Sequence, residues 1–305
     1  MGASDRIVRA LSWRRYLPLY LLMAPTFILI FTFYYYPAVS GFYHSFTIWQ
    51  PGNTIWAGLD NYREMWRDPN LIGSSINLLI VVIFNILVTM TMPLMAATLL
   101  FHLPHRRMQY ALRVVFVMPM IVPLVVIILF WRWLYSPEAG LNIMLQTIGL
   151  SGLVRNWLGD SSTVLMSILF VNFPWISGIQ LLIYLAGLQT ISQSVLDAAI
   201  VDGATGFRRF WHVELPAIAP QIKVLVLLTF VWWMRTFEAP LLMTDGGPGW
   251  SSMLPGLRMY HTIIRDFDLG YGAAIGMVLF VLVFIGTLLQ IRISRGESSS
   301  QGVRG

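Results

Sequence analysis

The sequence contains no cysteine and few charged residues. The lack of cysteine excludes disulfide frameworks, thiolate zinc sites and CxxC redox chemistry. Charged residues make up 11% of the 305 residues and hydrophobic residues 57%, whereas soluble domains carry roughly 25% charged residues. Uncharged apolar runs of more than about 18 residues are typical of membrane helices. The composition therefore predicts an integral membrane protein.

Patterns that carry catalysis or energy conversion are also missing. The single lysine, Lys223, lacks the Gly-x4-Gly-Lys-Ser/Thr neighbours of a phosphate-binding loop. There is no HExxH, no Gly-x-Ser-x-Gly and no carboxylate cluster of metal-ligand spacing, and the five histidines are isolated. We therefore expect neither an enzyme nor a chain that itself binds a metal or cofactor.

Six apolar runs are long enough to cross a membrane as helices. They are Leu17–Val39, Ile72–Leu100, Val114–Tyr135, Val164–Leu185, Val224–Met243 and Tyr271–Ile291. The basic N-terminus resembles a signal peptide, but no small-residue cleavage site follows, so we interpret the first run as a retained span. The predicted fold class is an all-α integral membrane domain over residues 17–291. Residues 1–16 precede it, and residues 292–305 follow it, with Gly296–Gly305 expected to be a short disordered tail.

Basic residues predict the orientation of the spans, because they are enriched in cytoplasmic loops. Thirteen lie on the side of the termini, namely Arg6, Arg9, Arg14, Arg15, Arg106, Arg107, Arg113, Arg208, Arg209, Lys223, Arg292, Arg295 and Arg304. Five lie in the other loops, namely Arg63, Arg67, Arg155, Arg258 and Arg265. We therefore expect both termini, and the loop over residues 186–220, to be cytoplasmic. The scattered positive charge does not form a nucleic-acid-binding face.

The longest polar stretch inside this apolar chain is Asp197–Pro216. Its pattern predicts a helix that begins after Ser192, a turn, and a second short helix that begins after Thr205. Gly203 suits the turn because glycine adopts positive φ without steric cost. Pro216 is expected to end the second helix, since proline lacks an N–H and its ring opposes continuation.

This stretch resembles the EAA motif of ABC importer permeases. The motif reads E-A-A, two residues, D-G-A, eight residues, then a β-branched residue, any residue, L-P. Here the matching residues are Asp197-Ala198-Ala199, Asp202-Gly203-Ala204 and Val213-Glu214-Leu215-Pro216, with Asp197 in place of glutamate. The resemblance implies the type I ABC importer permease fold, in which this loop is a coupling helix that enters a cleft of a cytoplasmic ATPase. The alternative interpretation is an ordinary amphipathic loop between membrane helices.

The resemblance also gives candidate residues for coupling to the ATPase. They are Asp197, Ala198, Ala199, Asp202, Gly203, Ala204, Phe207, Arg208, Phe210, Leu215 and Pro216. Phe207, Phe210 and Trp211 either contact the ATPase or pack beneath the membrane helices. Arg208 and Arg209 pair either with the ATPase or with anionic lipid headgroups.

Four short landmarks in the other loops resemble those of the carbohydrate-uptake branch, the maltose-type first permease subunit. They are Gly58–Tyr62, Gly140–Asn142, Asn156–Leu158 and Thr244–Pro248. The resemblance implies import of a sugar or oligosaccharide through a bacterial or archaeal cell (inner) membrane. It also implies a second homologous permease, two ATPase subunits that bind ATP and Mg, and an extracytoplasmic solute-binding protein.

Polar side chains within the spans are candidates for the substrate path, because an unpaired polar group in the membrane is costly. They are Asn172, Trp175, Ser177 and Gln180 in the fourth span, and Thr229, Trp233 and Thr236 in the fifth. Spacing predicts that the members of each set share a helical face. Indole rings beside amide and hydroxyl groups suit a carbohydrate, although the tryptophans could instead only pack between helices.

Other functions remain open on the sequence. An ABC permease for glycerol phosphate or another non-sugar solute, such as an amino acid or peptide, would have the same fold. Arg132 and Arg235 are compatible with an anionic cargo. A secondary transporter would use ionisable residues near mid-membrane, of which the spans contain few. A membrane enzyme would need clustered His, Asp or Glu at a membrane face, and the sequence shows no such cluster.

Overall fold

A computed structural model describes residues 3–138 and 140–301, with side chains over residues 16–138 and 140–292. The basic side chains predicted to flank the ends of the chain (Arg6, Arg9, Arg14, Arg15, Arg295 and Arg304) lie outside the described residues or side chains. The helices are α1 Ala3–Ile30, α2 Tyr36–His44, α3 Asp60–Met65, α4 Pro69–His102, α5 Arg106–Val117, α6 Leu124–Leu134, α7 Gly140–Thr147, α8 Val164–Leu169, α9 Gly178–Gln189, α10 Gln193–Val201, α11 Gly206–Arg209, α12 Leu215–Ala217, α13 Ala219–Trp233, α14 Glu238–Thr244, α15 Pro255–Ile264 and α16 Leu269–Gln301. Short π-helical turns at Phe31–Tyr35 and Phe210–Glu214 and 3₁₀ turns at Met118–Ile121 and Ser151–Leu153 connect some of them.

Three helical stretches are long and apolar enough to cross a membrane unbroken, namely Tyr16–His44, Pro69–His102 and Leu269–Arg292. Three further pairs of helices reach that length only together, with bends of 92°, 72° and 69° between their members. The described chain therefore has up to six spans, the number predicted. The second and third pairs, over residues 178–201 and 206–233, differ in their bounds from the predicted fourth and fifth spans. The last helix continues to Gln301, so the disordered tail predicted from Gly296 is wrong over that part. A single glycine costs only about 1 kcal/mol in a helix interior, and the helix tolerates it.

The predicted third and fourth spans are not single helices. Pro119 and Pro123 interrupt the third, where α5 passes through a 3₁₀ turn into α6 at 92°. The fourth stops at Leu169 and resumes at Gly178. Between them Asn172 and Trp175 adopt φ of 71° and 59° and Pro174 follows a cis peptide bond. Proline removes a helical N–H and its ring clashes with the preceding turn, so an apolar run alone does not give a continuous helix.

The predicted fifth span is also broken. Helix α13 ends at Trp233 and α14 begins at Glu238. Pro240 is the third residue of α14, a position where the missing N–H would have no helical partner anyway. The chain therefore restarts a helix just before this proline instead of continuing α13.

The fold also contains one short β-hairpin beside the helices that make up most of the described chain. Strand β1 Thr47–Gln50 pairs antiparallel with β2 Asn53–Trp56. The turn between them holds Gly52 at φ 83°. The side-chain amide of Asn61 donates to the carbonyl oxygens of Ser45 and Thr47, both at 2.9 Å, and so fixes the hairpin to α3. The asparagine of the Gly58–Tyr62 landmark is thus a structural residue.

Helix α4 is the axis of the bundle. Asp68 caps its first turn by accepting from the N–H groups of Asn70 and Leu71, and its 34 residues span about 51 Å at 1.5 Å per residue. It packs against α9 and α13 through buried apolar side chains, among them Leu94, Ala97, Leu100, Leu181, Tyr184, Leu188, Ile218 and Leu225. The last turn of this helix contacts the Asp197–Pro216 segment, and its middle lines a cavity.

Candidate functional site

The Asp197–Pro216 segment has the predicted helix–turn–helix form. Helix α10 follows Ser192, and the N–H groups of Gly203 and Ala204 donate to the carbonyl oxygens of Ile200 and Ala199, at 3.0 and 2.8 Å. Gly203 adopts φ 72°. These bonds close the end of α10 in the left-handed geometry that favours glycine. The local prediction for this turn is confirmed.

Pro216 does not end the second helix, and that prediction is wrong. The helical path continues from α11 through the π-helical turn and α12 to Ala217, and the 69° bend into α13 follows at Ile218. In the π-helical turn the N–H of Leu215 donates to Phe210. This wider turn lets proline enter the helix at the start of α12, where an N–H is dispensable.

Glu214 ties the segment to α4. Its side chain is fully buried, and its Oε1 accepts from Arg209 Nε at 2.9 Å and contacts His102 Nε2 at 2.9 Å. His102 is in the last turn of α4. A buried carboxylate is stable only when paired and hydrogen-bonded, so this contact couples the position of the segment to that of α4. Sequence reasoning missed Glu214, which is the variable position of the motif.

The aromatic side chains of the segment divide into two groups. Phe207 and Trp211 are 77% and 55% exposed, and their rings stack with centroids 5.9 Å apart. Phe210 instead packs against the core between α4, α9 and α13. The two open interpretations therefore apply to different residues: Phe207 and Trp211 form an exposed apolar surface, and Phe210 packs beneath the helices.

The other predicted coupling residues also divide by exposure. Asp197, Ala198, Asp202, Gly203, Arg208 and Pro216 are exposed, whereas Ala199, Ala204 and Leu215 are buried or half-buried. Asp197 accepts from Gln193 Nε2 at 2.8 Å, which is a side-chain amide and not a basic residue. Arg209 forms an ion pair with the buried Glu214, so Arg208 is the exposed arginine of this segment.

A cavity of about 660 Å³ lies between α4, α6, α9, α13 and α14. Six of the seven predicted substrate-path residues line it: Asn172, Trp175, Ser177, Gln180, Trp233 and Thr236. They do so without sharing continuous helical faces, so the predicted geometry is wrong. The break after α8 brings Asn172 and Trp175 to the wall, and Ser177 is the N-cap of α9. A second cavity of about 310 Å³ between α4, α13 and α16 has an almost entirely apolar lining.

Thr89 of α4 is the polar centre of the cavity wall. Its Oγ1 accepts from Gln180 Nε2 of α9 and from Thr229 Oγ1 of α13, both at 3.2 Å. Its carbonyl oxygen accepts from the hydroxyl of Tyr184 at 3.2 Å. Thr229, the seventh predicted residue, is thus buried beside the cavity instead of lining it. The network joins three helices at one depth in the bundle.

Trp175 both lines the cavity and packs against neighbouring aromatic side chains. Its indole N–H donates to the carbonyl oxygen of Leu169 at 2.8 Å, and its ring lies edge-on to Phe84, Phe170 and Phe173. Trp233 is half-buried and contacts both the cavity and an apolar cluster with Leu78. For Trp175 the packing interpretation and the lining interpretation therefore hold together.

The shape of the cavity depends on Gly178, at the start of α9. A Cβ added there would lie 2.8 Å from Met120 Sδ and 2.9 Å from Val117 Cα. We expect Gly178→Ala to destabilise the fold by about 1–3 kcal/mol because the backbone of α5 must move. Thermal unfolding of the purified chain measures this. Gly73→Ala in α4 is the control, since a Cβ there meets nothing within 4 Å; equal loss in both variants would contradict the role of the close approach.

The remaining landmarks form structured turns. Trp157 Nε1 donates to Oδ1 of the buried Asn142 at 2.8 Å, which joins the second landmark to the third. In the fourth, Asp245 accepts two bonds of 2.7 Å from Arg265 and contacts His261 Nε2 at 2.9 Å. The hydrogen-bonded Arg265 guanidinium lowers the pKa of Asp245 below its ordinary value. Asn77, near the start of α4, donates to the carbonyl oxygens of Ser251 and Met253 just after this turn, whereas His102 at the other end of α4 contacts the Asp197–Pro216 segment.

The profile of the family described as "Binding-protein-dependent transport system inner membrane component" matches residues 90–297. That is more than half of the chain. The chain belongs to this family. It is thus a permease subunit of a binding-protein-dependent ABC transporter and a multi-pass inner-membrane protein.

The names of curated relatives of the permease mention several kinds of cargo. The sulfoquinovosyl glycerol transport system permease protein SmoG of Agrobacterium fabrum is 32% identical over 93% of this chain and 94% of its own. The arabinooligosaccharides transport system permease protein AraP of Bacillus subtilis is 27% identical over 93% and 90%. The sn-glycerol-3-phosphate transport system permease protein UgpA of Agrobacterium fabrum is 30% identical over 90% and 93%.

A solved structure shares the fold. It is a bacterial ABC transporter involved in the import of the acidic polysaccharide alginate, and the permease matches it with a TM-score of 0.84 and 22% identity over 95% of this chain and 98% of that one. The six-span, type I ABC importer permease fold predicted from the EAA motif is therefore confirmed.

Sequence reasoning missed three residues of the site, namely Thr89, His102 and Glu214. Asn85 and Thr89 are polar, four residues apart, within the second span, and that spacing on one helix face was a usable signal. His102 and Glu214 are 112 residues apart in sequence. No local pattern joins them, so their contact is visible only in the folded chain.

Proposed function

We propose that the permease forms the translocation path for a sugar or oligosaccharide in an ATP-driven, binding-protein-dependent importer. The observation that carries this proposal is the cavity at the centre of the bundle. Indole rings of Trp131, Trp175 and Trp233 line it together with amide and hydroxyl side chains. Aromatic faces and a few placed hydrogen-bonding groups are what a sugar ring needs for recognition. The carbohydrate cargoes of SmoG and AraP support this class of substrate.

The proposed assembly includes a second homologous permease, two ATPase subunits and an extracytoplasmic solute-binding protein, in a bacterial or archaeal membrane. In this proposal the chain binds no cofactor, and ATP and Mg are bound by the ATPases. The Asp197–Pro216 segment and both termini face the cytoplasm. The exposed Phe207, Trp211 and Arg208 then form the surface of this chain that contacts an ATPase.

The contacts of α4 suggest how movement of the segment reaches the cavity. Glu214 joins the segment to His102, and Thr89 lies thirteen residues earlier on the same helix, a rise of about 20 Å. Thr89 in turn hydrogen-bonds to the cavity residues on α9 and α13. Closure of the ATPases would move the segment and α4 together and change the cavity between inward-open and outward-open forms. This is the proposed alternating-access step.

An acidic or phosphorylated cargo is the second candidate, because UgpA and the alginate importer carry such solutes and the sulfoquinovosyl group named for SmoG bears a sulfonate. The arginines that left this option open do not line the cavity. Arg132 donates to the carbonyl oxygen of Leu242 at 2.9 Å, and Arg235 is exposed between α13 and α14. Arg235 lies in the turn after α13, whereas Glu238 is the first residue of α14. The cavity wall therefore favours a neutral sugar.

Uptake by the complete transporter in proteoliposomes tests the proposal. We expect sugar uptake that requires ATP on the ATPase side and the binding protein on the other. Trp233→Ala should lower uptake about two- to tenfold, because stacking on an aromatic ring contributes roughly 0.5–1.5 kcal/mol beyond the buried area and 1.4 kcal/mol corresponds to about tenfold. Trp66→Ala, at a residue 84% exposed, is the matched control and should transport normally. Uptake driven by an ion gradient without ATP would instead establish a secondary transporter.

A further inference from the structure

Glu238 is the one charged side chain on the cavity wall in the part of the chain that the structure describes. It is the first residue of α14, directly after the break that separates this helix from α13. Trp232, Trp233 and Thr236 line the wall next to it in sequence. A carboxylate is thus placed where the aromatic and hydroxyl groups of the proposed sugar path converge.

The geometry fixes this carboxylate without neutralising it. Glu238 Oε2 accepts from the backbone N–H of Phe237 at 3.0 Å. Among the described residues the ion pairs do not include Glu238. Arg132 is engaged with Leu242, and Arg235 is not on the wall. The negative charge is therefore presented to the contents of the cavity.

We propose that Glu238 is a specificity-determining residue that makes this path select neutral sugars over acidic ones. An ionised carboxylate only accepts hydrogen bonds, and sugar hydroxyls donate them. The carboxylate, phosphate or sulfonate group of an acidic cargo would face Glu238 as a like charge in a partly desolvated site, where repulsion is strong. This inference rests on the proposed function, and it names the class of sugar that the path accepts.

The test separates the path from the binding protein, which makes its own selection. The assembled transporter, purified in detergent without its binding protein, is titrated while tryptophan fluorescence of the cavity is measured. One pair of probes is galactobiose and digalacturonate, and the second pair is glycerol and glycerol phosphate. Glu238→Gln removes the charge and keeps an oxygen that accepts from Phe237. Glu138→Gln, at an exposed carboxylate in the loop after α6, is the control.

We expect wild type and Glu138→Gln to bind galactobiose at least about tenfold more tightly than digalacturonate, and Glu238→Gln to reduce this preference to about threefold or less. Equal binding of both sugars by the wild type, or a preference that survives in Glu238→Gln, overturns the inference and leaves the sugar path standing. If neither sugar binds but glycerol is preferred over glycerol phosphate only when Glu238 is present, the sugar assignment fails and the charge selection by Glu238 holds.

Discussion

Replacing Gly203 with valine is expected to lower ATP-driven uptake about tenfold or more while the chain still inserts into the membrane. Gly203 has φ 72°, and a non-glycine residue held in that region costs about 1–3 kcal/mol, most for a β-branched side chain. A Cβ at Gly203 would meet nothing within 4 Å, so the expected loss comes from backbone strain and not from a clash. The strain would reshape the end of α10, which the proposal places against an ATPase.

Two further variants separate this effect from general destabilisation. Gly149→Val introduces the same side chain at φ 82° with open space around the Cβ, but in the loop after α7, and it should transport normally. Gly203→Asn should retain most uptake because asparagine tolerates the left-handed region. Uptake and ATP hydrolysis by the reconstituted transporter are measured for all three. Full uptake by Gly203→Val, or equal loss in Gly149→Val, would count against the coupling role.

Replacing Glu214 with alanine is expected to destabilise the permease by about 1–3 kcal/mol and to lower uptake more than this loss of fold explains. The substitution leaves Arg209 and His102 without the partner that both contact at 2.9 Å, and an unsatisfied charged group near the interior carries that cost. This expected loss of stability is smaller than the loss from breaking a fully buried ion pair, because the side chains of Arg209 and His102 are 19% and 36% exposed.

Thermal unfolding of the purified chain measures the first effect, and uptake per folded transporter measures the second. Asp60→Ala breaks the exposed pair with Arg63 and should change stability by less than about 1 kcal/mol, as surface ion pairs do. The double variant with Arg209→Ala should be less destabilised than the two single losses added together, because both remove one interaction. Strict additivity would show that the pair contributes nothing.

Elements that depend on local chemistry can be predicted from the sequence more accurately than contacts between distant residues. The turn at Gly203, the landmark turns and the first, second and sixth spans follow from residue type and spacing, and the structure contains them. The breaks at Pro119 and Pro174 also have a local cause, since proline opposes a continuous helix, but the length of an apolar run does not reveal them. The Glu214–His102 pair and the Thr89 network arise only when helices far apart in the chain pack together.

The same limit applies to the cavity. Six of its lining residues were named from polarity alone, since polar groups inside apolar runs are uncommon. Their arrangement depends on the unwound stretch between α8 and α9, which places Asn172 and Trp175 on the wall. On a continuous helix Glu238 would lie beside Arg235, three residues earlier, and the two side chains would pair. The break before α14 separates them and turns the carboxylate toward the cavity.

The central position of α4 has a consequence for how the chain is made. The residues that bury its face include Leu225 of α13, which is synthesised more than 120 residues after α4 ends at His102. At about 5–20 residues per second this interval lasts roughly 6–25 seconds. Until α9 is made, the hydroxyl of Thr89 lacks both of its later side-chain partners, Gln180 and Thr229, and Thr229 is absent until α13 follows. Helix α4, the axis of the finished bundle, is therefore made before the helices that pack against it. During synthesis the insertion machinery must keep its polar face out of the lipid until those helices are inserted.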